Sequence, residues 1–325
     1  MADRPSATAK VPSSVGRFAP SPSGPLHFGS LVAGLASWLD ARRAGGNWHL
    51  RIDDIDGPRT VPGAADAIMR TLETYGLWWD GPVVYQSHRL QAYYNVFIRL
   101  RQRGLVYPCT CSRREIALVA EMGPCGLIYP GTCRRGPRHR GRAAAWRVGV
   151  PGVKEGDVAF VDGCQGAVQQ NLARQVGDFV VRRADGVFSY QLAVVVDDAA
   201  LGVTDVVRGC DLLPSTPRQI YLQRVLNVAV PRYTHVPLAV DEHGHKLSKK
   251  NRAPALDLRR PAEALVAALG FLGQEPPPEL LAASVAEITA WGLAHWRLEA
   301  LPQGTSQPWS SQGGPIDLSQ LSEEQ

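Results

Sequence analysis

Long apolar runs are missing from this chain of 325 residues, and none approaches the roughly 18 uninterrupted apolar residues that a membrane span needs. A secretory leader is missing too: the opening MADRPSATAKVPSS has no apolar centre and reads as a short disordered lead-in, so a cytoplasmic protein with no membrane association is expected. There is no internal repeat, which sets aside solenoids and propellers. No charge sign dominates either, since the formal net charge is only +5 and the distribution must say more than the total. What remains, at 45% hydrophobic and 20% charged residues, supplies one large α/β domain with appendages.

Positive charge and cysteine are concentrated in one stretch. Between Arg101 and Arg147 there are ten arginines against Glu115 and Glu121. Arg134, Arg135, Arg138, Arg140 and Arg142 form a run suited to tracking phosphates, because the guanidinium forks onto their oxygens. A solvated arginine-rich loop would look the same on charge alone. Of the six cysteines, Cys109, Cys111, Cys125 and Cys133 fall within 25 residues. Such clustering in a cytosolic protein favours a metal over disulfides, whereas Cys164 and Cys210 read as buried thiols.

The chain begins as strand, glycine-rich turn, helix. Val15 to Ala19 is short and mostly apolar, and Pro20-Ser21-Pro22-Ser23-Gly24-Pro25 cannot continue a regular element. From Ser30, Leu31, Leu35, Trp38 and Leu39 recur at helical spacing until Gly45-Gly46. Trp48 to Ile52 reads as a second strand. A helix from about Val61 to Tyr75 is expected next, capped by Thr60, with Gly76 closing it. Another spans Arg89 to Arg103. This alternation argues for a parallel sheet with helices on both faces. It breaks between Cys109 and about Gly163, where Gly, Pro, Cys and Arg dominate, which marks an insertion. Strands are expected again at Phe179 to Arg182, Tyr190 to Val196 and Val203 to Val207, and a helix near Pro217 capped by Thr216. Pro261 to Trp296 can form two or three small helices, and Gly304 to Gln325 is too polar to fold alone.

Three separated motifs carry chemistry. The first, Arg17 to Ser30, sits between a strand and a helix, where an open α/β sheet places ligands. Gly29 permits close backbone approach, the helix N-terminus favours an anion, and His27 can donate to a phosphate oxygen. The second, Leu50-Arg51-Ile52-Asp53-Asp54-Ile55-Asp56, puts three carboxylates at a strand's carboxyl end. They could bind an ammonium group or a metal, or cap the next helix. The third, His245-Lys246-Leu247-Ser248-Lys249-Lys250, suits a mobile clamp for polyphosphate, though a lysine run is also an ordinary solvated face.

In order and spacing the three motifs resemble the glutamyl-tRNA synthetase family over roughly residues 15 to 255. PSPSGPLHFGS is similar to that family's HIGH signature, LRIDDID to its LRIEDTD strand end, and KLSKK to its KMSKS loop. The resemblance implies a Rossmann-type class I synthetase core that binds ATP, accompanied by Mg2+, between the two signatures. Only about 75 residues follow Lys250, leaving room for a small helical remnant and not for an anticodon-reading domain. The chain therefore resembles the family's truncated branch, the glutamyl-Q tRNA(Asp) synthetases. That branch activates L-glutamate without tRNA and transfers it to queuosine at the wobble position of tRNA(Asp). The implied division is a disordered N-terminus at 1–14 and a first catalytic half at 15–108. A zinc-binding insertion at 109–163 and a second catalytic half at 164–230 follow, then a lysine-loop and helical stem-like region at 231–303 and a disordered tail at 304–325. A monomer is expected.

The resemblance also implies roles. Glutamate is held by Arg17, Ala19, Ser21, Asp53, Tyr190 and Arg208. ATP is held by His27, Gly29, Ser30 and Lys249, with His27, Lys249 and Lys246 acting in catalysis. One structural Zn2+ is bound by Cys109, Cys111, Tyr129 and Cys133. On chemistry alone Cys125 competes with Tyr129, since four thiolates close a tetrahedral site as well as three with a phenolate. The sequence departs from the family at Asp53, where glutamate is usual, and the missing methylene shortens the reach by about 1.5 Å, enough to admit a bridging water. Two other readings are a shortened glutamyl-tRNA synthetase charging tRNA(Glu) and a non-catalytic RNA-binding paralogue. Retention of His27, Gly29, Lys246 and Lys249 speaks against the second.

Overall fold

The structure is a computed structural model that describes residues 14–241, 243–246, 254–310 and 314–315. Lys249, Lys250 and residues 1–13 lie outside the described residues.

The first half runs β1 (Val15–Phe18), α1 (Phe28–Arg43), β2 (Asn47–Ile52), α2 (Ala64–Thr74), β3 (Val84–Tyr85) and α3 (Leu90–Gln102). β1, β2 and β3 are parallel neighbours in that order. α1 buries Leu31, Leu35, Trp38 and Leu39, as the spacing predicts, and stops where Gly45 adopts φ +66°. The expected helix from Val61 is shorter: Gly63 is its N-cap and Thr60 closes a 3-10 turn instead, because Gly57-Pro58-Arg59 already turns the chain there.

The next segment holds β4 (Val106–Cys109), α4 (Arg113–Ala117), β5 (Met122–Gly123), β6 (Gly126–Leu127), β7 (Ala145–Val148) and β8 (Asp157–Asp162). It continues into β9 (Gly166–Asn171), α5 (Leu172–Gln175) and β10 (Phe179–Arg182). β7 is the centre of an antiparallel sheet between β10 and β4, and β8–β9 is a hairpin whose turn spans residue 163.

α6 (Tyr190–Ala200) corrects the expected strand at Tyr190 to Val196. Its residues Leu192 to Asp198 are all buried, with Leu192 to Val196 continuously apolar, and a short run of that kind has no periodicity to separate helix from strand. β11 (Asp205–Gly209), α7 (Thr216–Leu226) and β12 (Arg232–Val236) follow. β11 starts two residues later than expected, and Ser215 rather than Thr216 is the N-cap of α7. β11 and β12 are parallel. β11 lies along β1, where Thr204 N–H donates to Val15 O at 3.0 Å. The parallel strands thus run in the spatial order β12, β11, β1, β2, β3.

Side-chain alternation splits the core into two. Phe18, Leu50, Val207 and Val236 face α1 and join it to α8 (Pro261–Phe271) and α9 (Val285–His295), after β13 (Leu238–Val240). Val15, Val206 and Tyr233 face the other way, onto Tyr93 and Phe97 of α3 and Leu192 and Val195 of α6. Helices therefore cover both faces of the parallel sheet. The tail differs from expectation at β14 (Ser306–Ser310), which pairs in parallel with β13 and is followed by β15 (Gly314–Pro315). A polar segment folds there because it does not fold alone: Trp309 is buried, stacked on Phe28 at 4.9 Å and edge-on to Phe271.

Candidate functional site

At the carboxyl ends of β1 and β2, Arg17 and Arg51 meet the carboxylates of Asp53, Asp197 and Asp198. Arg51, on β2, is fully buried. Its Nε donates to Asp53 Oδ1 at 2.6 Å and its Nη1 to Asp198 Oδ1 at 2.6 Å, with Asp197 3.8 Å away. Arg17, ending β1, reaches Asp198 Oδ2 at 3.4 Å and Val207 O at 3.5 Å. Asp197 takes further donors from Gln86 at 3.0 Å, Arg89 at 2.5 Å and Tyr93 at 2.7 Å. Burying charged groups is costly unless they are paired and hydrogen-bonded, as these are. Burial raises the Asp198 pKa, yet Arg17 and Arg51 outweigh it and the carboxyl titrates below its usual range. At Asp53 burial wins over Arg51, and the pKa rises to about 6.

Asp53 opens onto a pocket of about 210 Å³ whose walls include Ser21, Gln86, Arg183, Ser189 and Tyr190. The loop after β1 is pinned there, since Asp53 N–H donates to Pro20 O at 3.0 Å. Ala19 is half-buried in this loop and Ser21 exposed. Neither Arg17 nor Arg208 is a wall residue; each is nearly inaccessible to water. Tyr190 links the two layers, because Arg208 Nη1 donates to its hydroxyl at 3.2 Å. Tyr190 does so from the first turn of α6, not from a strand. The other carboxylates of the motif have separate work: Asp54 accepts from Ser87 N–H and Oγ, and Asp56 pairs with Arg59.

His27 is the N-cap of α1, and Gly29 and Ser30 lie in the helix's first turn. Ser30 Oγ is 3.2 Å from His27 Nε2. Described residues flank the lysine motif on either side. Lys246 bridges to Val240 and donates to Asp211 Oδ2 at 2.5 Å, while Ala255 bridges to His27 and Leu256 N–H donates to Leu26 O at 3.0 Å. Ala255 and Leu256 thus lie beside the turn before α1, whereas Lys246 lies beside β13 and Asp211.

Among the described residues, one group of three candidate metal-ligating His, Cys, Asp or Glu side chains stands out: Cys109, Cys111 and Cys133, with ligand atoms within 4.8 Å of one another. Tyr129 Oη joins them at 3.2 Å from Cys109 Sγ and 3.9 Å from Cys111 Sγ. Tetrahedral zinc with bonds near 2.3 Å separates two sulfurs by about 3.8 Å; Cys111 and Cys133 are 3.6 Å apart. Burial would raise the Cys133 pKa, but backbone N–H groups of Arg138 and Thr110 bring it below the usual thiol value, while burial pushes Cys111 above it. Cys125 is elsewhere, accepting from Gln170 Nε2 at 3.2 Å, whereas Tyr129 Oη lies beside the three thiols. Gly177 lets the chain run close to Tyr129: at φ +70° it passes so tightly that a Cβ would lie 2.3 Å from the tyrosine carbonyl oxygen. Arg134 and Arg142 of the arginine run are held by Asp178 and Glu115, whereas Arg135, Arg138 and Arg140 are exposed without ion pairs among the described residues.

Sequence reading missed Arg51, Asp197 and Asp198 as a unit, and Asp162, Thr216 and His235 around Arg208. The Asp197-Asp198 pair closing an apolar run was the available signal, since buried carboxylates need cationic partners. Nothing local marked Asp162 or His235.

Residues 14–279 match the family described as tRNA synthetases class I (E and Q), catalytic domain. The glutamyl-Q tRNA(Asp) synthetase of Ectopseudomonas mendocina (strain ymp) is 55% identical over 291 residues, covering 89% of this chain and 95% of that protein. The protein of the same name from Dechloromonas aromatica (strain RCB) is 55% identical over 290 residues, covering 89% and 95%. The crystal structure of glutamate-tRNA synthetase from Elizabethkingia anophelis superposes with a TM-score of 0.76 at 23% identity, covering 92% of this chain and 68% of that one, a likeness of fold. No helix among the described residues is long and apolar enough to cross a membrane.

Proposed function

Since the chain belongs to the class I tRNA synthetase (E and Q) catalytic-domain family, in the branch of the glutamyl-Q tRNA(Asp) synthetases, we propose that it activates L-glutamate with ATP and passes the glutamyl group to queuosine of tRNA(Asp). It is a ligase: the glutamate α-carboxylate attacks the α-phosphorus of ATP, pyrophosphate leaves, and a hydroxyl of the queuosine ring displaces AMP. The observation that carries the reading is the pocket at Asp53 and Tyr190, backed by Arg17 and Arg208 in a chain so similar to those relatives.

In this reading Asp53 pairs with the α-ammonium of glutamate, and Tyr190 with Arg208, together with Arg17, receives the carboxylates. Ala19 and Ser21 supply the loop that closes over the amino acid. His27, Gly29 and Ser30 steady the phosphates at the start of α1, where unpaired N–H groups and the helix dipole favour anions. Lys249 neutralises charge that develops in the transition state, Lys246 assists, and Mg2+ accompanies ATP. Positioning and charge stabilisation supply the acceleration, because in-line displacement leaves little covalent work to the protein. Cys109, Cys111, Cys133 and Tyr129 would hold one structural zinc ion, which supplies a cross-link and no step of the reaction. Residues 109–163 form the zinc-binding insertion between catalytic halves 15–108 and 164–230, with the lysine-loop and stem-like region at 231–303. The protein acts in the cytoplasm as a monomer.

The test is pyrophosphate–ATP exchange without tRNA, followed by transfer to tRNA(Asp) with and without queuosine. Glutamate-dependent exchange and transfer confined to the queuosine-containing tRNA are expected. Exchange that appears only when tRNA(Glu) is added would sink the proposal in favour of a conventional synthetase.

A further inference from the structure

Three side chains hold the guanidinium of Arg208. Its Nε donates to His235 Nε2 at 3.0 Å, its Nη1 to Tyr190 Oη at 3.2 Å, and its Nη2 to Thr216 Oγ1 at 2.8 Å. Arginine has no acceptor. His235 Nε2 is therefore the acceptor and carries no proton, which leaves the ring proton on Nδ1. That proton points at Asp162 Oδ2, 2.6 Å away, and both side chains are 0% exposed. Tautomer and partner define each other. Thr216 Oγ1, which accepts from Nη2, also lies 3.1 Å from His235 Nε2 and can donate its hydroxyl proton to it; an imidazole protonated at Nε2 would set N–H against N–H at Arg208 and turn the guanidinium away.

We propose that Asp162 and His235 are positioning residues for amino-acid binding: the carboxylate selects the imidazole tautomer, and the tautomer orients Arg208. The inference rests on the reading of Arg208 as a glutamate ligand. Asp162 reaches this role from outside the crevice, at the end of β8. Its Oδ1 accepts from the backbone N–H groups of Cys164 at 3.1 Å, Gln165 at 3.0 Å and His235 at 3.0 Å. Those three donors make the effect of one substitution calculable from hydrogen-bond rules. In Asp162→Asn the amide oxygen must stay with the backbone donors, so the NH2 group faces His235 Nδ1. The ring then has to accept at Nδ1 and carry its proton on Nε2, against Arg208.

Two measurements test this: glutamate-dependent pyrophosphate exchange, and 15N spectra of the histidine rings, with His235→Gln identifying the His235 signals among the eight histidines. In the wild type, Nε2 of His235 is expected to be unprotonated and Nδ1 protonated. In Asp162→Asn the proton should move to Nε2, and KM for glutamate should rise about 10- to 100-fold while KM for ATP stays put, as a displaced binding group predicts. A wild-type ring protonated at Nε2 overturns the proposal. So does a reversed tautomer with unchanged KM for glutamate, or a rise in both KM values together with a lower Tm, which would mean a merely structural role. If Asp162→Asn does not fold, the wild-type spectra decide. L-glutamate shifting the His235 Nε2 resonance supports the proposal, and no shift refutes it. Wild-type protein without glutamate-dependent exchange refutes the reading of Arg208 itself, a failure distinct from the others.

Discussion

Asp53 carries its charge at a cost that its neighbours only partly offset. Burial raises its pKa to about 6 although Arg51 opposes the shift. The sign for activity follows: above this value Asp53 is an anion ready for an ammonium group, and below it the carboxyl is neutral. The kcat/KM for glutamate is expected to fall as pH drops through about 6, and Asp53→Asn should lose that acidic limb along with most of the affinity. A wild-type profile flat through this range would remove Asp53 from the binding site. Tyr190→Phe deletes a single hydroxyl that accepts from Arg208. A modest rise in KM for glutamate is expected, about 3- to 10-fold for one hydrogen bond to a charged group, with kcat nearly unchanged. Asp53 was legible in the sequence because three carboxylates close a strand-like run. Its clamp by Arg51 was not, since the arginine looks like any other residue of β2.

At the scale of elements, the turn before α1 and the cysteine cluster could be read from local chemistry, while α6 and β14 could not. The cluster predicts that purified protein carries one zinc per chain and that Cys111→Ser lowers both zinc content and Tm, measured by metal analysis and thermal unfolding. Full retention of zinc by this variant would exclude Cys111 as a ligand. β14 makes a prediction that the polar tail did not suggest. Trp309→Ala should destabilise the protein by about 3–5 kcal/mol, the usual cost of removing a buried aromatic, and denaturant unfolding measures it. Because Trp309 stacks on Phe28 of α1, part of that cost should appear as a weakened KM for ATP. The misread strand at Tyr190 to Val196 shows the limit of periodicity, because Leu192 to Asp198 are buried without a break and β-branched valines suit either element.

For the whole molecule, charge separates the two half-reactions. The net charge is +5, and Arg135, Arg138 and Arg140 present exposed guanidinium groups without ion pairs among the described residues. Transfer to tRNA should therefore weaken steeply with added salt, whereas glutamate-dependent exchange, proposed to occur at the pocket beside Asp53 with no nucleic-acid polyanion bound, should change little. Measuring both rates across a salt series checks this, and parallel loss in the two would argue against the arginine patch as an RNA surface. By itself the sequence determined the alternation that builds a parallel sheet, the three motifs and their order, and the convergence of cysteines on one segment. These are local or periodic signals, carried by neighbours in the chain. Tertiary structure alone decided that Arg17, Arg51 and Asp198 share a buried charge cluster, that Cys125 stands apart from the other thiols, and that Asp162 and His235 meet behind Arg208. The physical reason is distance along the chain. Asp162 and His235 are brought together by a hairpin and a strand laid side by side, and whether a buried charge finds its partner depends on packing that no short window of sequence contains.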